Sequence, residues 1–134
     1  MGKRVLCCGT FDDLHPGHVS FLQQASRLGD ELVVVVARDE NVGRIKGRPP
    51  AQDEETRRLA VGKVPEVSRA RLGNRGADLL RVVAEVAPDI IALGYDQKAP
   101  PGLAEAFPQC ALQTLDAYHP DRYKSSLMRK TREP

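Results

Sequence analysis

Two histidines near the start of the chain could do chemistry on a phosphate group. His15 and His18 flank Pro16 and Gly17, a few residues after a short apolar run that ends at Gly9. Proline suits the first position of a helix, so His15 is expected at the helix cap and His18 in the first turn. The unpaired N–H groups and partial positive charge of a helix N-terminus attract phosphate, and imidazole donors there can follow charge developing on its oxygens.

Two other roles for this histidine pair stay open at this point. A histidine near a helix start is often no more than a capping or surface residue. His-x-x-His spacing also places two metal ligands on one helical face, although the glutamate of the zinc-protease motif is missing. The chain has neither the Gly-x-x-x-x-Gly-Lys-Ser/Thr segment of a P-loop nor the Gly-x-Gly-x-x-Gly fingerprint of ordinary dinucleotide binding.

Strand and helix patterns alternate along the chain. Apolar runs predict strands, and apolar residues at helical spacing predict helices between them. The expected strands are 3–9, 32–37, 64–72, 89–93 and 110–115, and the expected helices are 16–28, 53–62, 76–87, 103–107 and 125–130. The polar stretch 38–52, rich in Gly and Pro, is expected to be a loop.

This alternation predicts an α/β fold in a single domain over residues 1–134. The expected architecture is one Rossmann-like, doubly wound, parallel five-stranded sheet with helices on both faces. Ligands of such sheets bind at the carboxyl ends of the strands. The segments that follow the strands, 9–18, 38–52 and 94–99, are therefore where a site is expected.

Length and composition limit the class of protein. A chain of 134 residues, 41% hydrophobic and 28% charged, can bury a core without disulfide or metal staples. The net charge is only +2, aromatic residues make up 4%, and the longest strongly apolar run, 32–37, is far too short for a membrane span. We therefore expect no nucleic-acid partner, no membrane partner and a cytoplasmic location.

The cysteines are Cys7, Cys8 and Cys110, with no metal-site spacing among them. Cys7 and Cys8 are neighbours in a predicted strand, so their side chains should point to opposite faces of the sheet. We expect plain buried thiols that behave as small hydrophobes in a reducing compartment. A redox or metal role is the alternative.

The segment Gly-Thr-Phe-Asp-Asp-Leu-His-Pro-Gly-His at 9–18 resembles the His-x-Gly-His signature of the nucleotidyltransferase superfamily, in its cytidylyltransferase-like group. Three further stretches are similar to that group in the same order, at 28–40, 46–58 and 89–97. Within the group, Ala-Arg-Asp-Glu, Lys-Gly-Arg-Pro-Pro and Gly-Tyr-Asp-Gln most resemble archaeal FAD synthases, which are FMN adenylyltransferases. Glycerol-3-phosphate cytidylyltransferases are close relatives, and their terminal signature is only partly present at 122–126.

The resemblance implies that a substrate phosphate attacks the α-phosphorus of a nucleoside triphosphate and releases pyrophosphate. It assigns catalysis to His15, His18 and Lys46, with the lysine bridging the two reacting phosphates. Two serines would hold the β- and γ-phosphates, and a Gly-x-Asp turn would meet the base or ribose. The implied nucleotide-binding residues are Gly9, Thr10, Phe11, His15, His18, Arg57, Gly94, Asp96, Ser125 and Ser126.

The same resemblance implies the partners. Mg²⁺ or another divalent cation would enter with the triphosphate, because it prefers phosphate oxygens and few protein ligands. The expected substrates are ATP, or CTP, and a phosphorylated small molecule, with FMN as the leading hypothesis. One alternative is a CTP-dependent enzyme acting on glycerol 3-phosphate or a similar phospho-alcohol, and another is a catalytically idle nucleotide-binding module. A homodimer is the expected oligomer.

Overall fold

A computed structural model of the chain describes residues 2–77, 79–95 and 97–117, without the side chains at 44–46 and 77. In these ranges no helix has the length and apolar character that a membrane crossing requires. The elements run β1 (Arg4–Gly9), α1 (Pro16–Ser26), β2 (Glu31–Val36), α2 (Asp39–Lys46), α3 (Glu54–Gly62), β3 (Arg69–Leu72), a 3-10 turn (Arg75–Ala77), α4 (Leu79–Val86), β4 (Ile90–Leu93), α5 (Leu103–Ala106) and β5 (Ala111–Thr114).

The described strands form one parallel sheet in the order β3-β2-β1-β4-β5. β1 pairs with β2 from Arg4 opposite Glu31 to Gly9 opposite Val36, and it pairs with β4 on its other side. The chain steps outward from β1 to β2 and β3, then returns to the far side of β1 for β4 and β5. The predicted Rossmann-like, doubly wound fold is confirmed, and the topological switch point lies between β1 and β4.

Alternation along the strands builds two apolar layers, one on each face of the sheet. Val5 and Cys7 point to the layer that α1 and α3 cover, whereas Leu6 points to the layer that α4 and α5 cover. Cys8 packs against this second layer, so the two adjacent cysteines lie on opposite faces, as predicted. Cys7, Cys8 and Cys110 are all free thiols.

The stretch 38–52 was wrongly predicted as a loop, because it contains α2. The helix has acidic residues in its first turn and is capped after Lys46 by Gly47, which adopts the left-handed conformation with φ 75°. The polar composition of the stretch concealed this helix, because α2 buries only a narrow face, which includes Val42. Lys46 is therefore the last residue of a helix and not a loop residue.

Other predicted elements are present with shifted ends. β3 has four residues, because Val64 and Val67 before it pack into the core outside the strand. α4 begins at Leu79, after the 3-10 turn, and buries Val82, Val83 and Val86. The helix predicted at 125–130 lies outside the described residues.

The turn before β2 packs so closely on β1 that only glycine fits at position 29. A Cβ on Gly29 would lie 2.6 Å from the carbonyl oxygen of Lys3 and 2.9 Å from Cγ2 of Val5. Gly29→Ala should force the turn away from β1 and lower the free energy of unfolding by about 1–3 kcal/mol. Gly62→Ala is the matched control, because its Cβ would meet the Ala70 Cβ at an ordinary 3.8 Å. Equal melting temperatures of the two variants in circular dichroism would contradict this explanation.

Candidate active site

The loop between β1 and α1 lies at the carboxyl end of the sheet and has an unusual backbone. Phe11 and Asp13 both have φ of 53°, in the left-handed region that non-glycine residues rarely adopt. The ring of Phe11 packs against the end of β1. A Cβ on Gly9 would lie 2.8 Å from Cε2 of that ring, so position 9 has no room for a side chain. Among the described residues, the N–H groups of Thr10 and Phe11 find no acceptor. The loop thus presents two backbone donors at the end of β1.

The two histidines cap α1 reciprocally. His15 is the N-cap residue, and its Nδ1 accepts a hydrogen bond of 3.1 Å from the N–H of Gly17. Nδ1 of His18 accepts a hydrogen bond of 3.2 Å from the N–H of His15. Because a ring nitrogen that accepts carries no proton, the proton of each neutral imidazole lies on Nε2. The residues that the sequence marks for phosphate chemistry therefore also form the helix cap.

Aromatic contacts fix the orientation of the two imidazoles. The rings of His15 and His18 are stacked, with centroids 3.8 Å apart and planes 22° from parallel. The ring of Phe11 meets His18 edge-on, at 5.5 Å between centroids. Phe11 itself is buried in the core layer beneath α1. Imidazole donors, the N–H groups of Thr10 and Phe11, for which the described part of the chain offers no acceptor, and the positive end of α1 together suit this loop to an anion.

A buried arginine fastens this loop to the neighbouring strand end. Arg57, in α3, is 0% exposed. Its guanidinium donates to the carbonyl oxygens of Thr10 and Ala37 at 2.8 Å each and of Gln52 at 3.0 Å. A fourth bond, of 2.6 Å, goes to the carboxylate of Asp39 at the start of α2. One side chain therefore joins the ends of β1 and β2, the start of α2 and the loop before α3.

The buried position of Arg57 differs from the one expected of a residue that contacts the nucleotide. A guanidinium without exposed surface, with its bonds directed to protein oxygens, cannot reach a ligand while its surroundings stay folded. Its bonds go instead to the backbone and the carboxylate around the loop. Sequence reasoning missed its partner Asp39, for which the acidic start of α2 was the available signal.

The tip of the histidine loop is fastened separately to residues 51 and 52. The two carboxylate oxygens of Asp12 accept backbone N–H bonds from Ala51 at 2.8 Å and from Gln52 at 3.0 Å. In return, the side-chain oxygen of Gln52 accepts a 3.0 Å bond from the N–H of Asp13. The shape of the loop is thus set by the protein before any ligand binds.

A cavity of about 390 Å³ opens beside the loop, on the α4 side of the sheet. Its wall includes apolar parts of Cys8, Val35 and Leu79. Gly9 and Thr10 also line it, so the cavity and the histidine loop share a border. Its volume lies in the range of small-molecule sites.

The Cys8 thiol in the cavity wall is neutral. Burial raises the pKa of Cys8 to about 12, and the nearby charge of Arg71 opposes part of that shift. Burial also raises the pKa of Cys7 well above its ordinary value, and it raises the pKa of Cys110. These shifts fit unreactive thiols, because a reactive cysteine needs a lowered pKa. Cys7 is buried as predicted, whereas Cys8 and Cys110 are only partly buried.

The structure brings together the predicted site residues at positions 9–18, whereas the others are described only in part. Gly94 directly follows β4 and is half-buried. Lys46 ends α2, and its side chain lies outside the described part of the chain. Asp96, Ser125 and Ser126 lie outside the described residues.

A family model described as cytidylyltransferase-like matches residues 6–130, which include the histidine loop and most of the sheet. The chain belongs to the cytidylyltransferase-like family. The family resemblance predicted from the loop motif is thereby confirmed.

Individual relatives of this family member have been named or solved. It is 55% identical over 95 residues to a protein named FAD synthase from Aciduliprofundum boonei, and 50% identical over 95 residues to one from Thermoplasma volcanium. Each match covers 71% of this chain but 62% and 66% of those proteins, so the chain spans less than two thirds of their length. A crystal structure from Thermoplasma volcanium, called a lipopolysaccharide core biosynthesis protein, is similar with a TM-score of 0.80 at 40% identity. That similarity covers 89% of this chain and 100% of the other.

Arg57→Lys should destabilise this cytidylyltransferase-like chain although it keeps the charge. A lysine ammonium cannot join the four oxygens that the guanidinium reaches, and a buried carbonyl left without a donor is costly. Asp39 is 40% exposed, so its ion pair is screened and the carbonyl bonds account for most of the loss. We expect the free energy of unfolding, measured with urea, to fall by about 3 kcal/mol.

Arg58→Lys is the matched control at the next position. Arg58 pairs with Glu55 at the surface of α3, where a lysine can replace it. Its urea midpoint should equal that of the unmodified protein. If Arg57→Lys gave the same midpoint as Arg58→Lys, the fastening role of Arg57 would be rejected.

Proposed function

We propose that the chain transfers the adenylyl group of ATP to FMN, forming FAD and pyrophosphate. The observation that carries the proposal is the loop in which His15 and His18 cap α1 beside two backbone N–H groups that have no acceptor among the described residues. The similarity to proteins named FAD synthase supports the choice of substrates.

The proposed step is an in-line substitution at phosphorus. An oxygen of the FMN phosphate forms a bond to the α-phosphorus of ATP, and the bond from that phosphorus to the α–β bridging oxygen breaks. Pyrophosphate leaves with the bridging oxygen, and nothing is oxidised or reduced. The attacking phosphate is already an anion near neutral pH, so the protein has mainly to position the reactants and stabilise charge.

The histidine loop would supply most of that stabilisation. His15 and His18 would donate from Nε2 to the triphosphate, while the backbone bonds to their Nδ1 atoms fix how the rings stand. The N–H groups of Thr10 and Phe11 would donate to the same phosphate oxygens. These donors are placed before the reaction, so they need not reorganise as charge develops.

The remaining predicted residues complete the proposed site. Lys46, at the end of α2, would bridge the α-phosphate and the phosphate of FMN. Gly94 and Asp96 would meet the base or ribose of the nucleotide. Ser125 and Ser126 would hold the β- and γ-phosphates. Gly9 would contact the nucleotide through its backbone, because the Phe11 ring fills the space beside its Cα.

A divalent cation, Mg²⁺ in the proposal, would be carried by the triphosphate. The carboxylate of Asp12 already accepts two backbone N–H bonds, so the proposal gives the cation phosphate oxygens and water as its main ligands. Within the described ranges, no group of three or more His, Cys, Asp or Glu side chains could hold a metal ion. When bound, the cation neutralises phosphate charge. Cytoplasmic location and a homodimeric state stay predictions.

Incubation of the chain with FMN, ATP and Mg²⁺ tests the proposal. FAD and pyrophosphate should form in equal amounts, measured by chromatography and by a pyrophosphate assay. CTP with glycerol 3-phosphate, run in parallel, tests the cytidylyltransferase alternative. Pyrophosphate release in that mixture alone would overturn the assignment of substrates. Nucleotide binding without release in either mixture would indicate an idle binding module.

Because His15 and His18 both cap α1, substitutions that preserve the cap can separate the chemical role of the histidines from their structural role. Asparagine is a good N-cap residue, and glutamine three positions later can complete a capping box. His15→Asn and His18→Gln should therefore keep the melting temperature while removing the imidazole donors. We expect FAD formation to fall by roughly 10²–10³-fold in each variant. The alanine variants should lose stability as well as activity. Near-normal turnover of His18→Gln would refute the role given to His18.

A further inference from the structure

Gln52 bonds to the histidine loop through both its backbone and its side chain. Its N–H donates to Oδ1 of Asp12 at 3.0 Å, and its side-chain oxygen accepts from the N–H of Asp13 at 3.0 Å. Its carbonyl oxygen accepts a third 3.0 Å bond, from Nε of the buried Arg57. The two loop partners lie 40 and 39 positions earlier in the chain. A half-buried residue far along the sequence is therefore part of the structure of the loop.

The bond from Gln52 acts on a strained backbone. Asp13 has φ of 53°, in the left-handed region where its side chain crowds the main chain. Such a conformation persists only where the surrounding contacts over-determine it. The bond between the Asp13 N–H and the Gln52 side chain is one of those contacts. Without that acceptor, Asp13 should relax toward negative φ.

A change at Asp13 would alter the course of the chain into α1. Only Leu14 separates Asp13 from His15, and Leu14 packs against the core layer beneath α1. His15 is the N-cap residue, it is exposed, and its ring stacks on that of His18. Because the core holds Leu14, the displacement should fall mainly on the exposed His15 and its stacked ring.

We propose that Gln52 is a positioning residue for the imidazole of His15. Its side-chain oxygen keeps Asp13 in the left-handed conformation, and Asp13 in turn directs the chain into the helix cap. The inference rests on the proposed function, to which it adds a residue that acts through the loop and not on the substrates.

Two substitutions at position 52 separate the accepting oxygen from the bulk of the side chain. Gln52→Met removes the oxygen and keeps the length, whereas Gln52→Glu keeps an accepting oxygen. Gln113→Met is the matched control, because Gln113 is exposed on β5 at the edge of the sheet. Melting followed by circular dichroism checks that each variant folds.

The stacked imidazoles give a readout that does not depend on activity. Their centroids are 3.8 Å apart, so the ring current of each displaces the proton signals of the other. In Gln52→Met without ligands, the NMR ring signals of His15 and His18 should move toward those of free histidine. The signals should stay in place in Gln52→Glu and Gln113→Met. A merely structural role would lower the melting temperature of Gln52→Met and leave these signals unchanged.

The kcat for FAD formation should follow the NMR signals. Gln52→Met should lower kcat by roughly ten-fold, because displaced donors stabilise the transition state less well. Gln52→Glu should restore most of that loss.

Asp13→Gly tests the part played by the strained backbone. Glycine adopts positive φ without strain, so Gln52→Met added to Asp13→Gly should lower kcat by less than about two-fold. This double variant should also fold if Gln52→Met alone does not. An equal effect of Gln52→Met in both backgrounds would overturn the inference.

The remaining outcomes separate this inference from the proposed function. Unchanged imidazole signals in Gln52→Met would overturn the inference, and so would equal losses in Gln52→Met and Gln52→Glu. Shifted signals with an unchanged kcat would overturn it as well, because the position of the ring would then not matter to the reaction. If the unmodified protein forms no FAD, the proposed function fails, and the imidazole signals alone decide whether Gln52 places His15.

Discussion

The buried guanidinium of Arg57 is the constraint on which the carboxyl edge of the sheet depends. Backbone carbonyls at strand ends need donors, and those of Thr10 and Ala37 share a single charged donor supplied by α3. A buried cation is tolerated only when its bonds are made, so the strand ends and α2 must keep one relative placement. The loop that carries His15 and the cavity wall at Ala37 are therefore fixed by the same side chain.

The carboxyl edge of the sheet that Arg57 holds together has two chemically different halves. On one side, the start of α1 and the stacked imidazoles concentrate positive potential where phosphate would react. On the other side, the cavity is lined, within the described residues, by uncharged side chains, and even its thiol, Cys8, is kept protonated by burial. Thr10 stands between the halves.

Local patterns in the sequence were enough to predict the sheet and the histidine cap. The Val-rich run of β2 specifies a strand buried on both faces, and Pro16 marks the start of α1. The placement of Arg57 and the existence of α2 were not predictable in this way. α2 is short and polar, and its start is held by the Arg57–Asp39 bond between residues 18 positions apart. The acceptors of Arg57 are mostly backbone carbonyls, whose positions arise only from the tertiary fold.

The reciprocal cap of His15 and His18 has a consequence for how such a chain can evolve. Binding residues usually reduce stability, so that selection for a firmer fold tends to erode them. Here the same two rings satisfy the first backbone groups of α1. If the two rings also bind phosphate as proposed, a random substitution at either position is penalised twice, once through folding and once through ligand binding. The exception is a replacement that caps α1 as well as imidazole does. Through such a replacement, a lineage could lose the proposed activity while its fold persists.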